Sequence, residues 1–343
     1  MKNLNANYFN PFVSHIYVEE RVRNHPRTQQ LLARYQEARI IEIGHYKDIF
    51  CRSRQNYTLQ HRSQKLVLAA KEGNLIYQGS PVCQNFGNEH FYYTSCVMNC
   101  VYDCAYCYLK GMYPSANLVV FVNLEDIFAA VERMLETQTM YLCVSYDTDL
   151  PALEQATGYV RAWSRFAAKH PQRLTIEIRT KCANKQIFEN QEPLSNVIYA
   201  FTLSPQAVVE RFEQGTPSLK ARTDCAAAAV NAGFPVRLCF DPMIYVRKWQ
   251  QAYQEMLEQV FAAVPAQKLT DVSVGSFRMP QDYLKKMRRQ QPDSAAAWFP
   301  YQLEDGYYHY PDALMQEMEQ QLVTLLKGWL PQERIFLWKD GHK

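Results

Sequence analysis

Three cysteines lie close together in the segment NCVYDCAYCYLKG and have the spacing of a shared metal centre. Cys100, Cys104 and Cys107 are separated by three and then two residues. Thiolates on one short loop can ligate three irons of a 4Fe–4S cluster, which leaves the fourth iron open to a small chelating molecule. Electron-transfer clusters are normally closed by four cysteines, so this spacing predicts a cluster that acts chemically on a bound molecule.

A zinc site is the alternative for these cysteines. Zinc sites commonly combine two Cys or Cys/His pairs that are separated by a longer stretch, and the sequence shows no obvious second pair. Cys96 would be the fourth ligand of a closed site. It follows the strand-like run HFYYTS, however, and we expect it to pack at the end of that strand.

The composition is that of a soluble globular protein. The 343 residues are 48% hydrophobic and 21% charged. We find no apolar run near the roughly 18 residues of a membrane span, and the N-terminus lacks the apolar core of a signal peptide. Ten cysteines without a secretion signal favour free thiols, so we expect a protein of the reducing cytoplasm.

The charge distribution gives a weak indication of a nucleic-acid partner. The net charge is only +3. Arginines are frequent among aromatic residues in the first 90 positions, and a second basic cluster comprises Lys285, Lys286, Arg288 and Arg289. Such surfaces suit phosphate contact and base stacking. A solvated helix face is an equally simple explanation of either cluster.

Short apolar runs alternate with amphipathic segments along most of the chain. The strand candidates are 90–95, 140–146, 174–180, 196–203, 235–240 and 271–277. The helix candidates are 124–137, 157–170, 218–233 and 250–264, with Gly233 as a C-terminal cap of the third. Repeated β–α units imply a parallel sheet, and six of them predict a partial (β/α)6 TIM-type barrel.

The rest of the chain is predicted to extend this barrel on both sides. We expect a helix-rich N-terminal region at 1–85, the barrel at 86–280, and a C-terminal substrate-side segment at 281–343 with aromatic residues and an amphipathic helix. Reactive groups are expected at the C-terminal ends of the strands.

Polar residues do follow the strand candidates at the points that this barrel requires. They include Cys143, Ser145, Lys181, Thr202 and Asp241. Each could be a solvated loop residue or a cap instead. A thiol in an apolar strand is often a small buried hydrophobe, but Cys143 could also donate a hydrogen atom to a carbon radical, because an S–H bond is weaker than most C–H bonds.

The chain resembles known proteins at two levels, first an enzyme superfamily and then one family within it. The cysteine spacing, with Tyr106 between the last two, resembles the motif of radical S-adenosylmethionine (SAM) enzymes. Nearly the whole chain resembles the spore photoproduct lyases within that superfamily. The matching segments are PFVSHIYVEERVRNHPRTQQLL, CAYCYL with Tyr108, FVNLEDI, LCVSYDTD, IRTK, FTLSPQAVVERFEQGTPSL, NAGFPV and VGSFR.

The resemblance implies a role for each candidate residue. The three loop cysteines would bind the cluster, and its open iron would bind SAM. Ser145, Lys181, Thr202 and Tyr106 would contact SAM. Cys143 would donate hydrogen to the substrate radical, and Tyr106 with Tyr108 would relay hydrogen back so that SAM is regenerated. Thr202 stands where the family has serine and keeps the hydroxyl, whereas Asp241 stands where a small apolar residue is expected.

The implied reaction reverts 5-thyminyl-5,6-dihydrothymine, the spore photoproduct, to two thymines in damaged DNA. The fused bases must leave the stack to reach a barrel interior. Arg278, Tyr307 and Tyr308 are the weaker candidates for lesion contact. A cytosolic reductant such as flavodoxin or ferredoxin would supply the electron. The alternatives are a paralogue of this family that acts on RNA, protein or a metabolite, and a non-catalytic iron–sulfur or zinc protein that binds nucleic acid.

Overall fold

The structure is a computed structural model and describes residues 13–80 and 83–338. The strands are β1 (His15–Glu19), β2 (Arg39–Ile43), β3 (Leu66–Ala69), β4 (Tyr77–Gln78), β5 (Phe91–Tyr93), β6 (Val97–Met98), β7 (Asp103–Cys104), β8 (Leu118–Phe121), β9 (Met140–Cys143), β10 (Leu174–Thr180), β11 (Val197–Thr202), β12 (Glu213–Gln214), β13 (Val236–Met243), β14 (Asp271–Ser276), β15 (Arg278–Pro280), β16 (Gln302–Glu304), β17 (Tyr307–His309) and β18 (Ile335–Leu337).

Helices connect most of these strands. They are α1 (Pro26–Arg34), α2 (Lys47–Phe50), α3 (Tyr57–His61), α4 (Leu109–Met112), α5 (Leu124–Leu135), α6 (Leu150–Thr157), α7 (Tyr159–Ala167), α8 (Gln206–Phe212), α9 (Leu219–Asn231), α10 (Trp249–Ala263), α11 (Gln281–Gln290) and α12 (Asp312–Leu326). Short 3-10 turns occur at Glu20–Val22, Lys185–Phe188, Ala266–Lys268 and Gln332–Arg334. No helix in the described ranges is both long and apolar enough to cross a membrane.

The predicted partial barrel is confirmed. Its curled sheet has the strand order β18-β14-β13-β11-β10-β9-β5-β4. All six predicted strands lie next to one another in chain order and pair in parallel. The prediction missed the edge strands, since β18 extends the sheet in parallel and β4 closes the other edge in antiparallel. The predicted cap at Gly233 has the expected left-handed backbone, with φ 86°.

Side-chain alternation gives this sheet two different faces. Residues such as Leu142, Ile176 and Leu238 belong to the main hydrophobic core with the helices on the convex side. Their neighbours in sequence point to the concave side, since successive side chains of a strand alternate. Tyr141 and Ile198 form a small separate cluster there. The concave face is therefore the one that can hold a ligand.

The N-terminal region contains a sheet that the sequence analysis did not predict. A helix-rich region was expected, and α1, α2 and α3 are present, but β1, β2 and β3 pair in parallel in a sheet of order β2-β1-β3-β8-β6. The strands are four or five residues long, and β2 alternates poorly because most of it is exposed. Strand periodicity is difficult to recognise in such short runs. The boundaries at 85 and 280 stay predictions.

The C-terminal segment returns to the barrel edge. A small antiparallel sheet has the order β15-β17-β16, and α11 follows its first strand. Helix α11 packs against α4 directly after the cysteine loop, where a Cβ at Gly111 would lie 2.4 Å from the Tyr283 carbonyl oxygen. The expected amphipathic helix is confirmed as α12.

Candidate active site

The cysteine loop begins at a turn that distant residues hold in place. Asn99 has a left-handed backbone, with φ 69°, which asparagine tolerates better than most residues. Its amide donates hydrogen bonds to the carbonyl oxygens of Ser115 at 2.7 Å and Asn117 at 2.8 Å. Gln64 donates to the Cys100 carbonyl oxygen at 2.9 Å. The first cysteine is therefore anchored to the N-terminal sheet.

The other end of the loop is anchored to the barrel. Cys104 in β7 pairs with Glu213 in β12, and the Ala105 N–H donates to the Phe212 carbonyl oxygen at 2.7 Å. Because β12 follows β11 through α8, the loop lies beyond the C-terminal end of a barrel strand. Active sites in βα barrels lie at that edge.

The three loop thiols are largely buried, and their surroundings include donors that favour thiolates. Burial raises the pKa of Cys100, of Cys104 to about 12, and of Cys107. Against that effect, the Tyr102 N–H donates to Cys100 Sγ at 3.5 Å, and the Leu109 N–H lowers the pKa of Cys107. Thiolates are the form that ligates a metal.

Cys96 does not share this environment. It is fully buried within the main hydrophobic core. Its thiol donates to the Val144 carbonyl oxygen at 3.7 Å, and burial raises its pKa to about 12. The predicted packing role of Cys96 is confirmed.

Tyr106 and Lys181 lie beside a buried ion pair. The Tyr106 hydroxyl and the Arg222 guanidinium both donate to the Glu213 carboxylate, and Ser204 donates to it at 2.9 Å. Lys181 Nζ lies 5.6 Å from the Tyr106 ring centroid. Burial lowers the pKa of Lys181, but Glu213 and the loop thiols outweigh it and raise the pKa overall. A cation is thus held next to the cysteine loop.

Cys143 lies at the end of β9, on the concave face. The sequence analysis placed it within a longer strand, but the strand ends at this residue. Its register neighbours are Tyr93 in β5 and Glu177 in β10. Cys143 Sγ donates to the Glu177 carboxylate at 3.7 Å. Burial and the Glu177 charge raise the pKa of Cys143 well above its usual range, which keeps the thiol protonated.

Glu177 belongs to a network of buried charges below this thiol. Arg237 donates to Glu177 at 2.6 Å and to Asp271 at 2.7 Å, and its guanidinium lies 3.2 Å above the Phe86 ring. Burial raises the pKa of Glu177, but Arg179 and Arg237 outweigh it and lower the value to about 2. The carboxylate beside Cys143 is therefore charged at neutral pH.

Two predicted SAM contacts lie at the C-terminal ends of β9 and β11, the two strands that flank β10. The Ser145 hydroxyl donates to the Arg179 carbonyl oxygen at 2.8 Å and accepts from the Arg179 N–H at 2.6 Å. A hydroxyl has two lone pairs, so Ser145 can still accept one hydrogen bond. Thr202 ends β11, and strand alternation places it on the concave face with Ile198.

Tyr108 has different partners from Tyr106. Its hydroxyl donates to the Tyr146 carbonyl oxygen at 2.6 Å and to the Asp147 carboxylate at 3.4 Å. Asp147 also accepts from Tyr113 at 2.9 Å. Burial and the Asp147 charge raise the pKa of Tyr108 well above its usual range, so the phenol keeps its proton.

Arg278 faces the same concave space and has an acidic partner. It pairs with Asp241 at 3.3 Å, and its guanidinium lies 4.1 Å from the Trp338 ring. Asp241, which the family resemblance did not explain, therefore positions Arg278.

Tyr307 and Tyr308 are adjacent in β17, so their side chains point to opposite faces of the hairpin. The Tyr308 ring lies 5.1 Å from the Arg288 guanidinium. One ligand cannot contact both tyrosines from the same side. The predicted lesion contacts stay predictions.

Several residues of this site carry no motif that could reveal them in the sequence. Glu213 and Arg222 form the buried pair that supports Tyr106, and buried opposite charges nine residues apart give no distinctive pattern. Cys83 lies in a loop with no chemical signature. Its thiol lies 3.4 Å from the Tyr146 hydroxyl. Contacts of this kind depend on the tertiary fold.

A partial βα barrel with three cysteines on one loop at the C-terminal edge of its strands is the architecture of the radical SAM class. Comparison with known proteins narrows this class. The model of the family described as "Spore photoproduct lyase" matches residues 10–337. The chain therefore belongs to the spore photoproduct lyase family.

Curated relatives agree with this assignment. The spore photoproduct lyase of Bacillus subtilis (strain 168) is 22% identical over 274 residues, 77% of this chain and 78% of the relative. That of Geobacillus sp. (strain Y412MC61) is 23% identical over 252 residues, 69% and 73% of the two chains.

A solved spore photoproduct lyase complexed with dinucleoside spore photoproduct superposes with a TM-score of 0.78 at 17% identity, over 96% of this chain and 99% of that one. A mutant with bound AdoMet and dinucleoside spore photoproduct gives a TM-score of 0.77 at 18% identity, with the same coverage. These likenesses establish the fold.

Proposed function

We propose that this chain is a radical SAM carbon–carbon lyase that returns spore photoproduct in DNA to two thymines. Family membership supports the reaction class. The observation that carries the proposal is the placement of Cys143, a protonated thiol on the concave face at the same edge of the barrel as the cysteine loop. A lyase that must quench a substrate radical needs a hydrogen donor at that place.

The cysteine loop fits a 4Fe–4S cluster with three protein ligands. The donor set is three thiols on one turn, with backbone N–H groups directed at Cys100 and Cys107. Outer donors of this kind tune iron–sulfur centres. Cys96 is occupied in the hydrophobic core, which leaves the loop without a fourth cysteine ligand.

The neighbouring residues fit the polar groups of SAM. When bound to the open iron and reduced by one electron, SAM supplies a 5′-deoxyadenosyl radical. Lys181 offers a cation for the carboxylate, Ser145 offers one lone pair to the amino group, and Thr202 offers a hydroxyl from the end of β11. Tyr106, whose ring lies beside Lys181, would also contact SAM.

Cys143, Tyr106 and Tyr108 would handle hydrogen atoms. The raised pKa values of all three keep S–H and O–H bonds intact at neutral pH. Cys143 would give its hydrogen to the thymine radical after the bridge is cleaved. The tyrosines would restore that hydrogen, and SAM would act as a reusable cofactor.

The partners follow from this chemistry. Damaged DNA would be the substrate, with Arg278, Tyr307 and Tyr308 as candidate contacts. A one-electron donor such as flavodoxin or ferredoxin would reduce the cluster. All ten cysteines are free thiols, which suits a reducing cytoplasm.

The test is an anaerobic assay of the reconstituted protein. Iron, sulfide and zinc contents are measured, and the reduced enzyme then receives SAM and an oligonucleotide that carries spore photoproduct. Chromatography follows restored thymine and 5′-deoxyadenosine. We expect iron and sulfide near four each per chain, and repair with little deoxyadenosine for each lesion.

Two variants test the predicted role of Cys143 in this assay, one at Cys143 itself and one as a control. Cys143→Ala should lower thymine restoration and raise deoxyadenosine per lesion, whereas Cys51→Ala, which removes an exposed thiol, should behave as the wild type. Deoxyadenosine without repair would indicate a paralogue with another substrate. Bound zinc with neither product would support the non-catalytic alternative.

A further inference from the structure

A thiol and a phenol outside the predicted set of reactive residues form a pair, and the thiol packs against the cluster on the concave face that contains Tyr141 and Ile198. Cys83 Sγ and Tyr146 Oη lie 3.4 Å apart, within hydrogen-bond distance for sulfur. Cys83 also lines a cavity of about 620 Å³ with Phe91 and Tyr93 of β5. Neither residue has a role in the proposed function as derived above.

One side of this pair faces Cys143. Cys83 and Cys143 both pack against the cluster formed by Phe86, Phe91, Tyr141 and Ile198. Tyr93 is the register neighbour of Cys143, and its ring stacks on the Tyr146 ring with centroids 4.1 Å apart and planes at 25°. A negative charge on Cys83 also raises the pKa of Cys143. The pair therefore adjoins the predicted hydrogen donor.

The other side of the pair faces Tyr108. The Tyr108 and Tyr146 ring centroids lie 5.9 Å apart, and the Tyr108 hydroxyl donates to the Tyr146 carbonyl oxygen at 2.6 Å. Tyr108 directly follows the cluster ligand Cys107. The Cys83–Tyr146 pair is thus contiguous with both ends of the predicted relay.

We propose that Cys83 and Tyr146 carry hydrogen atoms between Cys143 and Tyr108. This inference rests on the proposed function and gives its relay a route. The Cys143 thiyl takes the hydrogen atom of the Cys83 thiol, the Cys83 thiyl takes that of the Tyr146 phenol, and the Tyr146 phenoxyl takes that of Tyr108. The Tyr108 phenoxyl takes the hydrogen atom of Tyr106, and the hydrogen removed from the lesion, carried by deoxyadenosine, finally restores Tyr106.

Each transfer between thiols and phenols breaks one S–H or O–H bond and forms another, and the last transfer breaks a C–H bond of deoxyadenosine and forms a phenolic O–H bond. One proton and one electron move together each time, so no charge is created at any step. That matters because burial penalises an isolated charge. Burial already raises the pKa of both Cys83 and Tyr146, so both groups enter the sequence protonated.

The test compares Tyr146→Phe with Tyr77→Phe. Tyr146→Phe keeps the stacked ring but removes the hydroxyl that bonds Cys83. Tyr77 stacks on the far side of Tyr93 at 5.1 Å, so Tyr77→Phe removes a hydroxyl from the same stack without touching the pair. During repair, Tyr146→Phe and Cys83→Ser should each raise deoxyadenosine per repaired lesion several-fold, whereas Tyr77→Phe should match the wild type.

A second measurement uses the iron-free protein and does not depend on repair. The Tyr146 hydrogen bond lowers the pKa of Cys83, while Arg179, Arg278 and Asp241 also act on that thiol. Tyr146→Phe should therefore move the pH profile of Cys83 alkylation, read by mass spectrometry, to higher pH. Tyr77→Phe should leave the profile in place.

The outcomes separate the two proposals. Failure of wild-type repair, with the alkylation shift present, would contradict the proposed function and leave the thiol–phenol contact standing. Normal wild-type repair with an unchanged deoxyadenosine ratio in Tyr146→Phe would overturn the relay route. Equal effects of Tyr146→Phe and Tyr77→Phe would also overturn it, because they would indicate a role of the stack alone.

Discussion

Glu177→Gln should destabilise the protein in a way that depends on pH. The wild-type carboxylate is 1% exposed and pairs with Arg237 in the barrel interior. Its pKa falls from an ordinary 4.5 to about 2. At about 1.4 kcal/mol for each tenfold change in ionisation, the charged form contributes about 3 kcal/mol to the free energy of unfolding at neutral pH. Glutamine keeps the shape and removes the charge.

The sign of the pH dependence follows from the direction of that change. A carboxyl with a lower pKa in the folded state stabilises the fold fully above pH 4.5, and this contribution disappears as the pH falls toward 2. The difference between wild type and Glu177→Gln should be about 3 kcal/mol at pH 7 and should fall to roughly half of that at pH 3. Urea unfolding of the iron-free protein, followed by circular dichroism from pH 7 to pH 3, measures it.

Glu192→Gln is the matched control, because Glu192 is exposed in the loop before β11. It should change the free energy of unfolding by less than about 0.5 kcal/mol at every pH. A Glu177→Gln protein as stable as the wild type at pH 7 would refute the reasoning. So would a stability difference that stays constant down to pH 3.

Three further substitutions test the supports of the cysteine loop, each by urea unfolding of the iron-free protein at pH 7. Gly111→Ala should cost about 1–3 kcal/mol, because the new Cβ would lie 2.4 Å from the Tyr283 carbonyl oxygen. Glu213→Ala should cost about 3–5 kcal/mol, because it leaves the fully buried Arg222 cation without its carboxylate. Asn99→Ala should cost about 2 kcal/mol, because it strains a left-handed residue and removes two donated hydrogen bonds.

Two other positions provide controls for these substitutions. Gly44→Ala would place its Cβ 3.6 Å from the nearest atom, an ordinary contact, and should be close to neutral. Glu210→Ala removes an exposed carboxylate from α8 and should also be close to neutral. If Glu213→Ala were no more destabilising than Glu210→Ala, the buried pair would not have the assigned importance.

The barrel could be predicted because its strands have a strong local signal. Runs such as 174–180 and 235–240 are apolar, short and bounded by helical segments, and each formed the expected parallel strand. Only their ends were misplaced, since β9 stops at Cys143 and not at 146. The N-terminal sheet was missed because its strands are short and because β2 is mostly exposed, so their hydrophobic periodicity is hard to recognise.

The site was predictable to the extent that its residues have distinctive chemistry or a family motif. The cysteine spacing identified the loop, and strand ends identified Cys143 and Lys181. The supporting residues were not predictable, because Glu213 reaches Tyr106 across 107 positions of the chain. The Cys83–Tyr146 contact likewise joins residues 63 positions apart. Such pairs are set by tertiary contacts that a single sequence does not display.

The position of β8 limits how the protein can be divided. This strand comes after the cysteine loop in sequence but lies between β3 and β6, and its four residues, Leu118–Phe121, are buried. A fragment that starts at residue 86 would lose β3 and turn β8 into an apolar edge strand, which invites pairing between molecules. Strands β1, β2 and β3 thus cannot be separated from β8, which follows the cysteine loop, and their removal should produce aggregates in place of a smaller enzyme.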